Sequence, residues 1–369
     1  MKEITKNGIT DSLLHRQRAF IPLISCSILL FILSVIAAGC KHDHMPSLST
    51  GGHDYLEINL VADTAGFSAQ RVDVNLGNPW GIAVSAKGSF WISCNHTGQT
   101  VIYDGSGTQT LAPVAIPLNG LINGSSPDGV VYNTTSDFSS GAGPAKFIYS
   151  TEDGIISVWN TGDSTVKVAD RSSANAVYKG ITIANDGTGN FLYVADFFNG
   201  RIDVFDHAFK YVSNKSFSDP GIPAGFAPFN IRNIGGKLFV AYAKQQGPDN
   251  HDDQSGSGNG YIDIFNPDGT FVKRFASQGA LNSPWGIIQP PVQFGQGANV
   301  ILVANFGDGR INVFDTSGTL SGPLENNGIP ITINGLWDIA FSPLSNTQLY
   351  FTAGPEQETH GLFGYLTGK

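Results

Sequence analysis

The chain has 369 residues, 41% hydrophobic and only 14% charged, with 45 Gly, 19 Pro and a formal net charge of −9. This balance excludes a helical bundle, which needs long Ala, Leu, Glu and Lys runs at helical spacing, and a disordered chain, which is poorer in hydrophobic residues. Lys and Arg are scattered, so no continuous basic surface faces a phosphate backbone and nucleic acid is not expected as a partner.

The N-terminus differs in kind from the rest. Lys2, Lys6, Arg16 and Arg18 precede the apolar run LISCSILLFILSVIAAGC, which ends in small residues and a cysteine. The pattern resembles a bacterial lipoprotein signal. On that reading residues 1–39 are the signal peptide, Cys40 receives the lipid, and residues 40–54 form a polar, flexible tether. The alternative is an uncleaved membrane anchor, since an apolar run of roughly 17 residues is at the short limit for spanning. Both readings place the folded part outside the cytoplasm, in a bacterial cell envelope, on the periplasmic side or the cell surface. Cys26 lies in the apolar run and Cys40 is the lipid site, so only Cys94 remains in the folded part and no intrachain disulfide is expected there.

From residue 55 the sequence turns to short Val, Ile, Phe and Tyr runs bounded by Gly, Asn, Asp and Pro, the signature of strands joined by tight turns. VADFFNGRIDVFD at 194–206 returns as VANFGDGRINVFD at 303–315. The pair supplies a template: a segment like PWGI, a strand like LYVAD, a loop ending in Gly, and a strand like RIDVFD. Six copies begin at NPWGIAV (78), SPDGVVY (126), YKGITIA (178), FAPFNIR (226), SPWGIIQ (283) and GLWDIAF (335), about fifty residues apart. A unit of that size with four strand signals is a propeller blade, which predicts an all-β, six-bladed β-propeller over residues 55–369. Gly98, Gly154, Gly200, Gly260, Gly309 and Gly361 close the loop before the third strand, where positive φ is expected. Asp104, Asn160, Asp206, Asn266 and Asp315 open the next turn. The sixth copy ends too early for a fourth strand, so YLEINLVADT at 55–64 is predicted to pair with residues 361–366 and close the ring.

The segment LYVADFFNGRIDVFD resembles the NHL repeat. Through NPWGI, NFGDGRINVFD, GLWDIAF and LYFTAGP the whole domain resembles a family of exported bacterial NHL-like six-bladed propellers. The resemblance is specific for fold and carries no reaction.

In such a propeller the loop entering each inner strand and the loop joining the second and third strands open on one face around the axial channel. Aligning the copies places Asn95, Glu152, Asp196 and Asn305 at one position of the latter loop, with Tyr242 and Ala353 in the remaining two. Four oxygen donors suit Ca²⁺ or another divalent cation, and the set is similar in type to the metal ligands of gluconolactonase-like propellers, although there the ligands do not share one blade position. The same residues can instead cap strand ends. The mouth of the inner strand gives a second ring, Trp80, Asp128, Lys179, Phe229, Trp285 and Trp337, whose aromatics either stack on a flat ligand or wedge between blades. Asp128 and Lys179 are adjacent there and can pair or meet a ligand. The insertion AKQQGPDNHDDQSGSGNG at 243–260 adds Asp249, His251, Asp252 and Asp253, a cation-binding or solvated loop. His96 and His360 face each other across the closure as candidate proton carriers.

No nucleophile elbow, P-loop, HExxH or CxxC is present. Two functional readings stand. One is a monomeric, membrane-tethered propeller that binds a small molecule, glycan or protein through its top face. The other is a divalent-metal-dependent hydrolase or lyase of lactonase-like type.

Overall fold

The structure is a computed structural model that describes residues 54–297 and 299–369. The expected signal segment, the lipid site Cys40 and the tether up to residue 53 lie outside the described residues. Six blade sheets, five of four strands and one of five, follow one another along the chain, with a separate two-stranded ribbon at Glu325–Asn326 and Ile329–Pro330. Blade 1 runs Pro79–Val84, Phe90–Cys94, Gln99–Tyr103 and Gln109–Ala115. The first strands of successive blades touch in a closed cycle, blade 6 returning to blade 1, so the predicted six-bladed ring is the observed fold.

Closure is as expected and longer than expected. Tyr55–Ala62 lies antiparallel to Leu362–Gly368, with Leu56 opposite Thr367 and Ala62 opposite Leu362, and Arg71–Val72 adds a fifth strand outside it. The two described ends of the propeller thus share one sheet, and no free edge faces solvent at the third strand of blade 6.

Both faces of every blade are buried, which explains hydrophobic runs without clean alternation. In blade 1, Ile92 and Val101 join the core shared with blade 6, while Trp91 and Ile102 join the core shared with blade 2. Equivalent clusters fill the other interfaces. A buried polar residue sits at the same place of the third strand in four blades: Ser157, Asp203, Asp263 and Asn312. Asp203 accepts from Arg201 (2.8 Å) and from the Tyr178 hydroxyl (2.8 Å), Asp263 pairs with Arg274, and Asn312 donates to the Ala280 carbonyl (3.2 Å). The repeat therefore preserves a buried polar tie on the third strand; in blades 3 and 4 that tie includes an ion pair.

The turn residues behave largely as predicted. Asp104, Asp206 and Asp315 each accept backbone N–H groups two and four residues on. The loop-closing glycines divide into two kinds. Gly98, Gly154, Gly200 and Gly309 have positive φ, as expected, whereas Gly260 and Gly361 do not. Gly361 is required by close approach instead: a Cβ there would lie 1.5 Å from the Leu76 carbonyl oxygen. Cys94 is a buried free thiol.

Candidate functional site

The six inner strands share an irregularity that re-aims side chains. In each, the register with the second strand slips by one residue just inside the mouth, between Pro79 and Ile82 in blade 1 and at the equivalent place in the others. Such a bulge leaves a residue unpaired and bends its strand. The residues it frees are Trp80, Asp128, Lys179, Phe229, Trp285 and Trp337, the ring expected at the inner-strand entrance.

The four aromatics of this ring meet each other across the axis. Trp80 and Trp337 stack at 3.6 Å, Trp80 meets Trp285 edge-on at 5.1 Å, and Phe229, from the blade opposite Trp80, contacts Trp285 at 4.9 Å. Phe197 and Phe306 extend the cluster, Phe306 stacking on Trp337 at 3.9 Å. The aromatics are neither wedges between blades nor an open stacking platform: buried, they plug the channel with their ring faces covered by one another.

The oxygen-donor ring expected from the sequence does not form, and the reason is a one-residue offset. The residue paired with the inner-strand mouth is Asp196 in blade 3 and Asn305 in blade 5, but Cys94 in blade 1 and Thr151 in blade 2. Asn95 and Glu152 are one position further on, equivalent to Phe197 and Phe306. The backbone N–H groups of all four donate to the carbonyl two residues before the bulged one, at Asn78, Ser126, Val177 and Ser283. A shift of one residue reverses the face of a strand. Asn95 and Glu152 therefore reach the channel, whereas Asp196 accepts from Asn199 and lies 3.3 Å from the Arg201 guanidinium, and Asn305 donates to Asp308 in its own loop and to the Ala280 carbonyl in the loop before its blade. Among the described residues no group of three or more His, Cys, Asp or Glu side chains is arranged to hold a metal ion.

What the offset builds is a polar sector beside the aromatic plug. Asn95 Nδ2 donates to Asp128 Oδ1 (2.8 Å) and Glu152 Oε2 (3.2 Å). The Lys179 ammonium donates to Glu152 Oε1, lies 3.9 Å from Asp128 Oδ2 and sits 4.6 Å over the Trp80 ring. Asp128 and Lys179 are fully buried. Burial, then the neighbouring Glu152 charge, raises the Asp128 carboxyl far above the usual range. Burial also works against the Glu152 charge, but attraction and a hydrogen bond from Lys179 outweigh it and hold the pKa down. Lys179 stays protonated because Glu152 and Asp128 more than offset its desolvation. The sector thus holds the Lys179 ammonium against the Glu152 carboxylate, with Asp128 beside them in surroundings that disfavour its charged form. Asp128 Oδ2 and the indole nitrogens of Trp80 and Trp285 are buried without hydrogen-bond partners.

Further carboxylates stand over this sector. Glu358 accepts from Asn78 Nδ2 (2.7 Å), and Asn78 Oδ1 in turn accepts from Trp337 Nε1 (3.3 Å). Burial, partly countered by Asn78 and Lys179, pushes Glu358 up to about 7. It ends three successive residues of positive φ, Glu356, Gln357 and Glu358, a conformation that costs free energy for non-glycine residues. In the insertion, Gln245 bridges Asp253, and Gln246 donates its N–H to the Asp252 carbonyl and accepts at its own carbonyl from the Asn250 N–H, forming an arch. Asp253 accepts from Ser283, and burial raises its pKa, whereas Asp249, His251 and Asp252 are exposed. His251 packs on Phe198 at 5.4 Å. The two expected proton carriers are apart in role: His96 is exposed, and His360 shares a hydrogen bond with Asp63 (3.0 Å) and lies 3.5 Å from Glu356.

Two features of the channel lie outside the rings expected from the sequence. Asn78 and Ser283, both before proline and both of positive φ, hold Glu358 and Asp253. Asn230 and Asp338 occupy the place that is glycine in the other four blades. Their side chains bind neighbouring inner strands, Asn230 donating to the Trp285 carbonyl (2.8 Å) and Asp338 accepting from the Ile82 N–H (2.9 Å). The signal was visible as FN and WD where other copies read WG, DG or KG.

No protein-family model matches the chain. The fold is shared with a catalytically inactive virginiamycin B lyase from Staphylococcus aureus with quinupristin (15% identity, 85% of this chain and 99% of that chain, TM-score 0.52). It is also shared with a calcium-binding protein, regucalcin, from Agrobacterium tumefaciens (14%, 79% and 91%, TM-score 0.51) and with a protein of unknown function from Bacteroides thetaiotaomicron (12%, 85% and 76%, TM-score 0.54). At these identities the likeness is one of fold. Sequence similarity is higher to proteins of Acanthamoeba polyphaga mimivirus, viral rather than bacterial relatives: uncharacterized protein R648 is 36% identical over 325 residues, 84% of this chain and 80% of the relative. Uncharacterized protein L690 is 35% identical over 325 residues, 84% of this chain and 85% of the relative. The chain belongs to the β-propeller family that includes these two mimivirus proteins.

Proposed function

We propose that this protein is a membrane-tethered, extracytoplasmic binding module that takes a polar ligand, small molecule, glycan or protein, on its top face. The observation that carries the reading is the polar sector of buried Asn95, Asp128 and Lys179 with half-buried Glu152, set into an otherwise aromatic axial ring. Lys179 supplies the positive charge that Glu152 would otherwise seek from a cation, so the donor set fits a divalent metal poorly and a hydrogen-bonding ligand well. The unpartnered Asp128 oxygen and the Trp80 and Trp285 N–H groups supply unused donors and acceptors.

The experiment is a thermal-shift screen of the full chain against amines, neutral glycans and divalent cations, repeated with Glu152→Gln. A ligand-dependent shift that Glu152→Gln abolishes, in a protein free of stoichiometric cation, supports binding. Stoichiometric cation lost in Glu152→Gln supports the second reading, a lactonase- or lyase-like enzyme. Glu358, poised near 7 above the same sector, favours that alternative because it can exchange a proton at neutral pH. Attachment through Cys40 is tested by labelled fatty-acid incorporation, which Cys40→Ser must abolish.

A further inference from the structure

Beneath the aromatic plug, the later halves of the inner strands enclose a separate cavity of about 270 Å³. Its walls are apolar, with Ile82, Val130, Ile287 and Ile339 around them, and a single cationic side chain, Arg232, lies in its lining. It opens into a groove of about 640 Å³ with which it shares Val84, Tyr132, Ile288 and Phe341. Pro290, Pro291 and Pro343 extend that groove across the face opposite the candidate site.

The polar end of this funnel is asymmetric. Asp338 is committed: Oδ2 accepts from the Ile82 N–H and from Arg232 Nη2, and Oδ1 accepts from the Ile339 N–H (2.9 Å). Arg232 is not: its Nε is enclosed without a partner, and 21% of the side chain remains exposed. A guanidinium has five N–H donors in a planar fork, and here one nitrogen is bonded to Asp338. The site therefore offers spare donors at the end of a mostly apolar tube, and the carboxylate beside them is already bonded.

We propose that this funnel binds an amphipathic monocarboxylate, the hydrocarbon chain along the Ile and Val walls and the carboxylate on Arg232. Apolar walls that converge on a few placed polar groups are the common form of a small-molecule site. Charge-assisted bonds from Arg to a carboxylate are stronger than those to a neutral acceptor, which sets the choice of head group.

The test uses the full chain with n-octanoate and n-octanol as probes, read by titration calorimetry. Octanoate is expected to bind one site, and octanol about tenfold more weakly or worse, because it lacks the charged acceptor. Arg232→Gln is expected to weaken octanoate by about tenfold and leave octanol unchanged. Ile288→Trp, a partly exposed rim position, fills the funnel without touching the ion pair and is expected to abolish both. Failure of octanoate to bind, equal binding of the two probes, or unchanged octanoate binding in Ile288→Trp would overturn the proposal; the last stands as a test even if Arg232→Gln does not fold.

Discussion

Replacing Lys179 with Met keeps the aliphatic stem and removes the ammonium that joins Glu152 to Asp128. Leaving one member of a buried ion pair without its partner costs about 3–5 kcal/mol. The Glu152 side chain is 27% exposed, so water screens part of the loss. The lower end, about 3 kcal/mol, is therefore expected near neutral pH. The sign of the pH dependence follows from Glu152. In the wild type its pKa is lowered, so its contribution is present above the unfolded-state pKa and is lost as pH falls through the folded-state value. Without Lys179, burial, the largest cause, is opposed only by the Asn95 hydrogen bond and the His251 charge; it raises the pKa, and the contribution is then lost as pH rises. The stability deficit of Lys179→Met must accordingly widen as pH rises from the acidic side of the carboxylate range towards neutrality. Urea unfolding followed by tryptophan fluorescence measures it, with Trp80 lying directly under the ammonium. A deficit below about 1 kcal/mol at neutral pH, or one that does not vary with pH, would refute the assigned charge states.

Deleting residues 55–62 removes buried Tyr55, Leu60 and Val61, each contributing about 1.5–3 kcal/mol, and should lower the calorimetric midpoint by roughly 10 °C or more. An unchanged midpoint would mean that the ring closes without its N-terminal strand. Glu358, raised to about 7, withdraws stability as pH rises through that value. Glu358→Gln keeps an acceptor for Asn78 and should gain more than about 1 kcal/mol on the wild type between about pH 5 and pH 8; parallel pH profiles contradict this. Gly361→Ala, with its Cβ driven into the Leu76 carbonyl, should cost more than Gly200→Ala, where positive φ alone costs about 1–2 kcal/mol and nothing lies within 4 Å. Equal losses in denaturant titrations would undo the distinction between the two kinds of glycine.

The fold was legible because its determinants are local letters repeated six times. PWG-like mouths, glycine before the third strand and Asp after it each mark a turn whose geometry depends on neighbours in sequence, and the closing strand followed from a missing fourth strand. The site was less legible because it depends on register. Asn95, Glu152, Asp196 and Asn305 share a chemical type, and aligning by type hid the fact that the first two are one residue further along. Nothing in a loop sequence marks that slip; only pairing across the sheet shows it. The bulge in every inner strand was likewise silent, although its consequence, a ring of side chains at the axis, was read correctly from position alone. Asn230 and Asp338 are the opposite case. They break a glycine pattern in plain view, and the break has meaning only once the closeness of neighbouring inner strands is known, as when a Cβ at Gly81 would meet the Asp128 carbonyl oxygen at 2.6 Å.

The aromatic plug decides how the two ends of the channel relate. Trp337 has Trp80 on one side and Phe306 on the other, and its Nε1 donates to Asn78. If the cluster is a packed core, removing this ring must cost what core truncation costs, about 3–5 kcal/mol for Trp337→Ala. Trp337→Phe keeps an aromatic ring in the stack and loses the hydrogen bond and part of the ring area, so about 1–2 kcal/mol is expected. A ligand platform would behave otherwise, since rings held ready for a guest leave apolar surface uncovered and losing one costs the empty protein little. Urea titrations of the two variants therefore distinguish a plug from a platform without any ligand in hand. A loss below about 1 kcal/mol for Trp337→Ala would return the aromatic ring to the list of binding residues. A full loss confines recognition on the top face to the polar sector of Asn95, Asp128, Glu152 and Lys179, and leaves the Arg232 funnel below as a chemically separate compartment.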